Sequence, residues 1–517
     1  MPGDDREYLL PEGIGVPEAR AALAAHLELG GGSARSVDRT YYDTFDALLR
    51  EAGLSAAHED GELVLLDRDS GVVRLRGRIA KPGQRLFPRE LEPGPLRDAL
   101  LDVVEERALL ALARVHARRR ALNVLDDERK TVVRMTLEEP AVVDNAGRLS
   151  ILRPRVRLAA VRGYDDELGK VKSALTRELG LAAADQPLVD EAVTAAGHDP
   201  AGISSKISVP LRFDERADVA AATVLRRLLD VIEANTDGTI ADTDSEFLHD
   251  YRVSVRRSRS VQRELKKVFP PEPLAEFRAE FRWLQQITGD ARDLDVYVLE
   301  FDAMRGLVPE AMRADLDPLL EVLRGRRLAA RRQMVSDLRS QRVTSLLEHW
   351  ARFLDRLPSL DESDRPDASR PIGDVAGARI HKVYRRMVKM GSAIDDSSPA
   401  EDYHELRKRG KELRYLLELF GAPLYPGEVV KPMIKTLKGL QDVLGRHQDR
   451  EVQVALLRSL GGEVAQAEQG TAALIAMGAL IGRLAEDERA ARGEFAGRFA
   501  EFAAKEQRRL VKETFAS

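Results

Sequence analysis

Two rhythms of apolar positions divide the chain. Up to about residue 160, short runs alternate with period two, as in Glu62-Leu-Val-Leu-Leu66, Val72-Val-Arg-Leu-Arg76 and Thr131-Val-Val-Arg-Met-Thr-Leu137. That spacing puts every second side chain on one face of a strand. Helical segments lie between these runs: Pro17 to His26 and Pro95 to Val104 each open with proline, whose missing N–H costs nothing in a first turn. A further helix is expected over Glu167 to Leu179, ended by Gly180, and His198 to Ser205 reads as a linker. The first half is therefore expected to be α+β, with a boundary near residue 205. Beyond about Asp214 nearly every window has a 3.6-residue period, broken at Pro270-Pro271, Gly289, Pro309, Pro358 to Pro371, Gly391, Pro423 to Pro426 and Gly445. The second half is expected to be all helix, with Gly289 and Gly445 as helix caps and the polar stretch Ser359 to Arg370 as a mobile loop.

Composition narrows the classes. The chain has 517 residues, 44% hydrophobic and 32% charged, with only 5% aromatic. This suffices for real cores in a few domains and argues against disorder and against an all-β fold. Lys plus Arg total 81 against 86 Asp plus Glu, a net charge of -5, so bulk attraction cannot recruit a polyanion and any anion site must come from local clustering. The absence of cysteine excludes disulfides, thiolate metal sites and a cysteine nucleophile. The longest uncharged, mainly apolar run, Gly470 to Gly482, is too short to span a bilayer, and Asp4, Asp5, Arg6 and Glu7 do not form a secretory n-region. A soluble cytoplasmic protein is expected.

The second half repeats itself. His249-Asp-Tyr-Arg-Val-Ser-Val-Arg-Arg-Ser-Arg recurs as His404-Glu-Leu-Arg-Lys-Arg-Gly-Lys-Glu-Leu-Arg, with bases at +3, +7 and +10 from each histidine: Arg252, Arg256 and Arg259, then Arg407, Lys411 and Arg414. At about 100° per residue each histidine and its three bases share a helix face roughly 80° wide. Gly289 and Gly445 follow about forty residues after the histidines, Arg282 and Lys438 each lie seven before the glycine, and Asp293 and Asp449 each lie four after it. Like charges on one helical face repel, so such a stripe is costly unless something compensates it. Two stripes facing each other suit a long, dense polyanion, and arginine forks with mobile lysines suit a repetitive phosphate backbone.

The segments His249 to Arg257, Gly289-Asp-Ala-Arg-Asp-Leu-Asp295, His404 to Tyr415 and Leu440 to Asp449 resemble the CHAD domain, the conserved-histidine α-helical domain, over roughly 209 to 517. The resemblance implies two pseudo-symmetric four-helix bundles, repeats at about 214–350 and 372–510, around a basic pore that binds inorganic polyphosphate without catalysis, often at polyphosphate granules. It implies phosphate ligands at His249, Arg252, Arg256, His404, Arg407, Lys411 and Arg414, with Arg259, Arg282, Lys438, Arg446 and His447 as further candidates. No cofactor is implied. A histidine in an arginine-rich face is depressed when the face is empty and raised when phosphate binds, so affinity is expected to weaken from about pH 6 to 8.

In the first half, Arg39-Thr-Tyr-Tyr-Asp-Thr-Phe-Asp-Ala-Leu-Leu-Arg-Glu-Ala-Gly-Leu54 resembles an early segment of CYTH domains, the triphosphate tunnel fold. This implies a CYTH-like β-barrel or tunnel over 1–200, joined by a linker at 201–208 to the CHAD domain at 209–517. Active members carry Glu-x-Glu-x-Lys on a strand, alternate residues holding a divalent metal and the triphosphate. Here the stretch is Gly3-Asp-Asp-Arg-Glu7, and the late acidic strand is replaced by Arg155-Val-Arg-Leu158. The catalytic motif is lost, and no triphosphatase activity or metal site is expected. Arg118, Arg119, Arg120, Arg155 and Arg157 remain as candidates for extra anion binding.

Other readings compete. A nucleic-acid binder would use the same phosphate attraction, but aromatics are sparse and no helix-turn-helix is apparent. A metal-dependent triphosphatase of the CYTH type, or a histidine metal site, is disfavoured by the basic residues at +3 and +7 from His249 and His404, where a metal site wants carboxylates or further histidines. More prosaically, Asp293 and Asp449 could pair with Arg252 and Arg407 to glue helices together. Tyr251, Tyr415 and Trp283 are expected to pack, not to stack on bases.

Overall fold

The computed structural model describes residues 7–79, 82–144, 147–395 and 397–516. The chain divides into two compact units between Ser204 and Ser205. The first is rich in β-strand: β1 (Glu7–Leu9), β2 (Leu29–Asp43), β3 (Leu54–Glu59), β4 (Glu62–Asp67), β5 (Val73–Arg78), β6 (Arg85–Leu86), β7 (Leu109–Leu125), β8 (Thr131–Val143), β9 (Leu149–Ile151), β10 (Arg155–Ala160) and β11 (Ala182–Ala183). They form one sheet in the order β11-β1-β10-β8-β7-β2-β3-β4-β5, with β6 on β7 and β9 on β8. Among the described residues this path is open, since β11 and β5 share no ladder. The tunnel-motif residues Gly3 to Arg6 lie outside the described residues; only Glu7 of that stretch falls within them.

Local chemistry sets these elements. The β3–β4 hairpin turns on Asp60-Gly61 with φ of 54° and 79°, the left-handed pair that a two-residue turn demands. Helices α1 (Val16–Ala24), α2 (Pro95–Val104), α3 (Asp165–Ser173) and α4 (Leu188–Ala195) pack on the sheet through stripes such as Leu96, Leu100 and Val104, one turn apart and buried. Gly180, at φ 64°, lets the chain leave its helix, and Leu181 N–H donates to Leu175 O. The stretch read as a linker is docked: Ile203 N–H donates to Phe45 O, and a Cβ on Gly202 would sit 2.6 Å from that oxygen.

The second unit is almost wholly helical. Its main helices are α5 (Ala217–Ala241), α6 (Ser245–Glu264), α7 (Pro271–Ile287), α8 (Gly289–Leu299), α9 (Asp317–Leu338), α10 (Gln341–Arg356), α11 (Ile372–Gly391), α12 (Ala400–Leu416), α13 (Gly427–Val464), α14 (Gly470–Phe502) and α15 (Lys505–Phe515). Asp244 caps α6 by accepting from the N–H groups of Glu246 and Phe247. The larger apolar core joins both repeats, from Val224 and Leu228 to Leu413, Leu437 and Phe515. A second joins Tyr297, Leu319 and Leu323 to Leu457, Leu480 and Leu484. Neither core is confined to one repeat, so the two copies are not separately filled bundles.

Two expectations are corrected. The stretch Ser359 to Arg370 is anchored: Arg365, 1% exposed, donates to the carbonyls of Asp361, Leu357 and Val268 and reaches Asp218. Gly445 caps nothing, because α13 runs through it unbroken, whereas Gly289 does open α8 after the break at Thr288. No described helix is long and apolar enough to cross a membrane.

Candidate functional site

The site grows from α6 and α12. Buried residues on α6, including Leu248, Tyr251, Val255 and Val261, hold one side of the helix in the core. The adjoining face presents His249, Arg252, Arg256 and Arg259, all partly exposed. On α12, Tyr403, Leu406, Leu413 and Leu416 are buried, and His404, Arg407, Lys411 and Arg414 are partly exposed. The two helices run antiparallel, as their ion pairs require. Arg257 Nη2 lies 2.8 Å from Glu418 Oε2, and Arg263 Nη2 lies 3.0 Å from Glu412 Oε1. Counted from the histidines, position +8 of each helix meets position +14 of the other, with the signs exchanged between the two contacts.

Antiparallel pairing brings the stripes together. Lys411 is pushed down to about 8, first by burial and then by the Arg407 and Arg256 guanidiniums; Asp449 opposes the shift. Arg252 is pushed down to about 10 by burial and then by Arg256, with Asp293 opposing. Burial also lowers His249, opposed by Glu246 and reinforced by Arg292. Arg256 and Lys411 have no carboxylate at ion-pair distance among the described residues, and Arg256 Nε is buried without a hydrogen-bond partner. Cations from both repeats thus raise one another's potential at half-buried positions, an unfavourable arrangement that an anion would relieve.

The supports differ between repeats. Arg252 Nη1 donates to Gln285 O and Thr288 Oγ1, each at 2.9 Å, at the end of α7. Arg407 Nη2 instead pairs with Asp449 Oδ1 at 3.1 Å, so the carboxylate-glue reading holds for the second repeat and not for the first. In both repeats the +3 arginine lies over the matched glycine, 3.8 Å from a Cβ built on Gly289 and 3.7 Å from one built on Gly445. His404 Nδ1 lies 2.5 Å from Gln448 Oε1, and Arg414 Nε donates to Glu418 at 2.6 Å.

The remaining candidates lie at the margin or elsewhere. Arg282 and Lys438 are exposed, and Arg282 is close enough to Arg259 to depress it, after burial. Arg446 pairs with Glu494 on α14. His447 is 2% exposed, stacked on Tyr403 at 4.8 Å and 2.7 Å from Glu488 Oε1. Both face α14, and His447 also stacks against α12 through Tyr403, the neighbour of His404. Arg278 and Arg292 were missed in the sequence, although Arg278 stands one helical turn before Arg282 and Arg292 three after Gly289. Tyr251 is fully buried, the Arg257 guanidinium covers the Tyr415 ring at 5.8 Å, and that of Arg342 covers Trp283 at 3.8 Å.

In the first unit a cavity of about 860 Å3 is lined by Glu7, Arg35, Arg39, Glu59, Arg119, Glu138 and Arg157 among others. Its inner charges are paired with one another. Arg39 meets Glu59 at 2.8 Å and Glu138 at 3.1 Å, and Arg119 donates to Glu59 at 2.9 Å. Arg155 meets Glu7 at 2.8 Å and Glu191 at 2.7 Å, and Arg157 also binds Glu7. Burial alone would raise Glu7, but Arg157 and Arg155 outweigh it and hold the carboxyl low. Arg119, Arg155 and Arg157 are therefore committed to carboxylates and offer no spare charge to an anion. Glu7, Glu59 and Glu138 each serve guanidiniums, and among the described residues no three His, Asp or Glu converge as metal ligands would. Replacing Glu7 by Gln leaves Arg155, 1% exposed, short of charge and is expected to destabilise this unit by about 3 kcal/mol. Urea unfolding should show that loss at neutral pH. It should shrink as pH falls through the depressed Glu7 pKa, where the wild type loses the same pairing.

A helical unit carrying two histidine-led basic stripes defines the class, and residues 223–458 match the family model of the CHAD domain. The C-terminal part of the chain thus has a CHAD-domain fold. Two curated proteins, the uncharacterized proteins MT2285 and Rv2226 of Mycobacterium tuberculosis strains, are each 30% identical over 293 residues, 52% of this chain and 53% of theirs. The chain thus spans about half the length of the curated relatives it matches. Among solved structures, the CHAD domain from the plant Ricinus communis is 27% identical, covering 57% of this chain and 96% of that chain with a TM-score of 0.47. PptA from Streptomyces chartreusis is 17% identical, covering 55% and 99%, with a TM-score of 0.43.

Proposed function

We propose that the second unit binds inorganic polyphosphate in the groove between α6 and α12, without catalysing a reaction on it. The observation that carries this reading is the pair Arg256 and Lys411, brought together from the two repeats with no carboxylate at ion-pair distance among the described residues. A chain of phosphates supplies a negative charge at each residue and would relieve several cations at once. The reciprocal +8 and +14 contacts support a pseudo-twofold relation between the repeats, which suits a linear ligand with no preferred direction. Single-stranded nucleic acid is a poorer fit, since Tyr251, Tyr415 and Trp283, the rings on which unpaired bases would stack, are engaged in packing or cation–π contacts. The self-neutralised cavity of the first unit supports a non-catalytic, CYTH-derived domain, and residence in the cytoplasm at polyphosphate granules accords with the same reading.

The test is a titration with long-chain polyphosphate and with tripolyphosphate at equal phosphate concentration. From +0 to +10 the stripe spans about 15 Å along the helix, so a chain of many phosphates is expected to bind at least about tenfold more tightly than three. Equal affinities would overturn the groove reading. Lys411 adds a pH signature. The empty groove holds it at about 8 and a bound phosphate raises it, so binding takes up a proton above that value. Affinity is expected to fall about tenfold from pH 7 to 9. A Lys411→Arg variant should flatten that slope while retaining affinity at pH 7.

A further inference from the structure

We infer that the two repeats do not share the phosphate chain equally: the side built by α6 and α7 is the primary subsite, extended by Arg278 and Arg282, while the α12 side is largely neutralised by its own residues. The inference rests on the polyphosphate reading and adds where along the groove the chain is held. Three matched positions around the stripe carry it. At +14 from the histidine stands Arg263 in the first repeat and Glu418 in the second; eleven before the glycine, Arg278 and Ile434; three after it, Arg292 and Gln448. Each exchange makes the first repeat more basic, but Arg263 is paired with Glu264 and Glu412 and Arg292 with Glu246, so it is Arg278 that adds a cation with no carboxylate at ion-pair distance among the described residues.

The contacts translate these exchanges into availability. Glu418 accepts from Arg414, and Asp449 pairs with Arg407, so two of the three stripe cations on α12 are already compensated. On α6 the corresponding Arg259 has no carboxylate at ion-pair distance among the described residues, and burial together with Arg282, Arg263 and Arg278 depresses it. Helix α7 runs back along α6, its end at Arg252 through Gln285 and Thr288, and its Arg282 and Arg278 further along, beside Arg259. The unpaired charge therefore continues from Arg256 through Arg259 onto α7, where a linear polyanion can follow it. Asp293, the matched partner of Asp449, lies beyond ion-pair distance of Arg252 and leaves that guanidinium to the groove.

Two double variants that each remove two cations test this against long-chain polyphosphate, with thermal melting of each as a control for folding. Arg259→Gln/Arg278→Gln is expected to weaken binding about 20-fold or more, and Arg407→Gln/Arg414→Gln about threefold or less. A gain-of-affinity variant guards against loss by misfolding: Asp449→Asn frees Arg407 and should tighten binding about threefold or more. Equal losses in the two double variants, a larger loss on the α12 side, or no gain from Asp449→Asn overturns the asymmetry and leaves the polyphosphate reading standing. A wild-type chain that does not bind polyphosphate overturns both.

Discussion

Arg256→Gln/Lys411→Gln is expected to weaken binding of long-chain polyphosphate by about 100-fold or more, while leaving the melting temperature unchanged or raised. Hydrogen bonds to charged groups contribute about 1.5–3 kcal/mol each, and two of them lost together account for a factor of that order. The stability half of the expectation follows from the same geometry. In the empty protein these two cations face each other and are half-buried; burial and the neighbouring guanidiniums push Lys411 down to about 8. Removing charges for which burial and repulsion outweigh the attraction of Asp449 relieves the fold, whereas removing a packing residue would weaken it. Isothermal titration and thermal melting of the same preparation separate the two effects. A parallel loss of affinity and melting temperature would assign the residues to structure.

The second large effect concerns the stretch that composition marks as mobile. Arg365→Ala is expected to destabilise the helical unit by about 4 kcal/mol. Asp218 is fully buried, and Arg365 serves it together with the carbonyls of Leu357 and Val268. Truncation leaves those oxygens short of donors in a site closed to water. Arg216 still reaches Asp218 at 2.8 Å, which limits the loss. Urea unfolding followed by far-ultraviolet circular dichroism reads the change. A shift below about 1 kcal/mol would mean that the stretch is held by other contacts.

The helical half was the more legible, because its signal is a period. A histidine with bases at +3, +7 and +10 occupies one helix face in any packing, so both stripes could be read before the fold was known. Which bases remain unpaired was not legible: Arg252 and Arg407 have the same local sequence relation to Asp293 and Asp449, yet only the second pair closes. That difference depends on where α7 ends at Thr288 while α13 continues through Gly445. The same continuity turns Arg446 and His447 toward α14, which their position beside the glycine concealed. In the first half, β4, β5, β8 and the helices opened by Pro17 and Pro95 were readable, and the long strands β2 and β7 were not. Gly30-Gly31-Gly32 and Arg118-Arg119-Arg120 interrupt the apolar alternation there. The arginines of β7 and β10 looked like free charge because their carboxylate partners, Glu59 and Glu7, are remote in sequence. Ser359 to Arg370 misled for the opposite reason: a polar stretch can be fixed by one buried side chain.

The most direct measurement is a titration of the wild-type chain with long-chain polyphosphate and, in parallel, with duplex DNA of matched charge at about 150 mM salt. The account predicts tight binding to polyphosphate and binding to DNA weaker by at least about 100-fold, because the unpaired cations Arg256 and Lys411 stand close together and half-buried, where a thin, flexible chain of phosphates reaches both more readily than a stiff duplex. Equal affinity for the two, or no binding to polyphosphate, would contradict it.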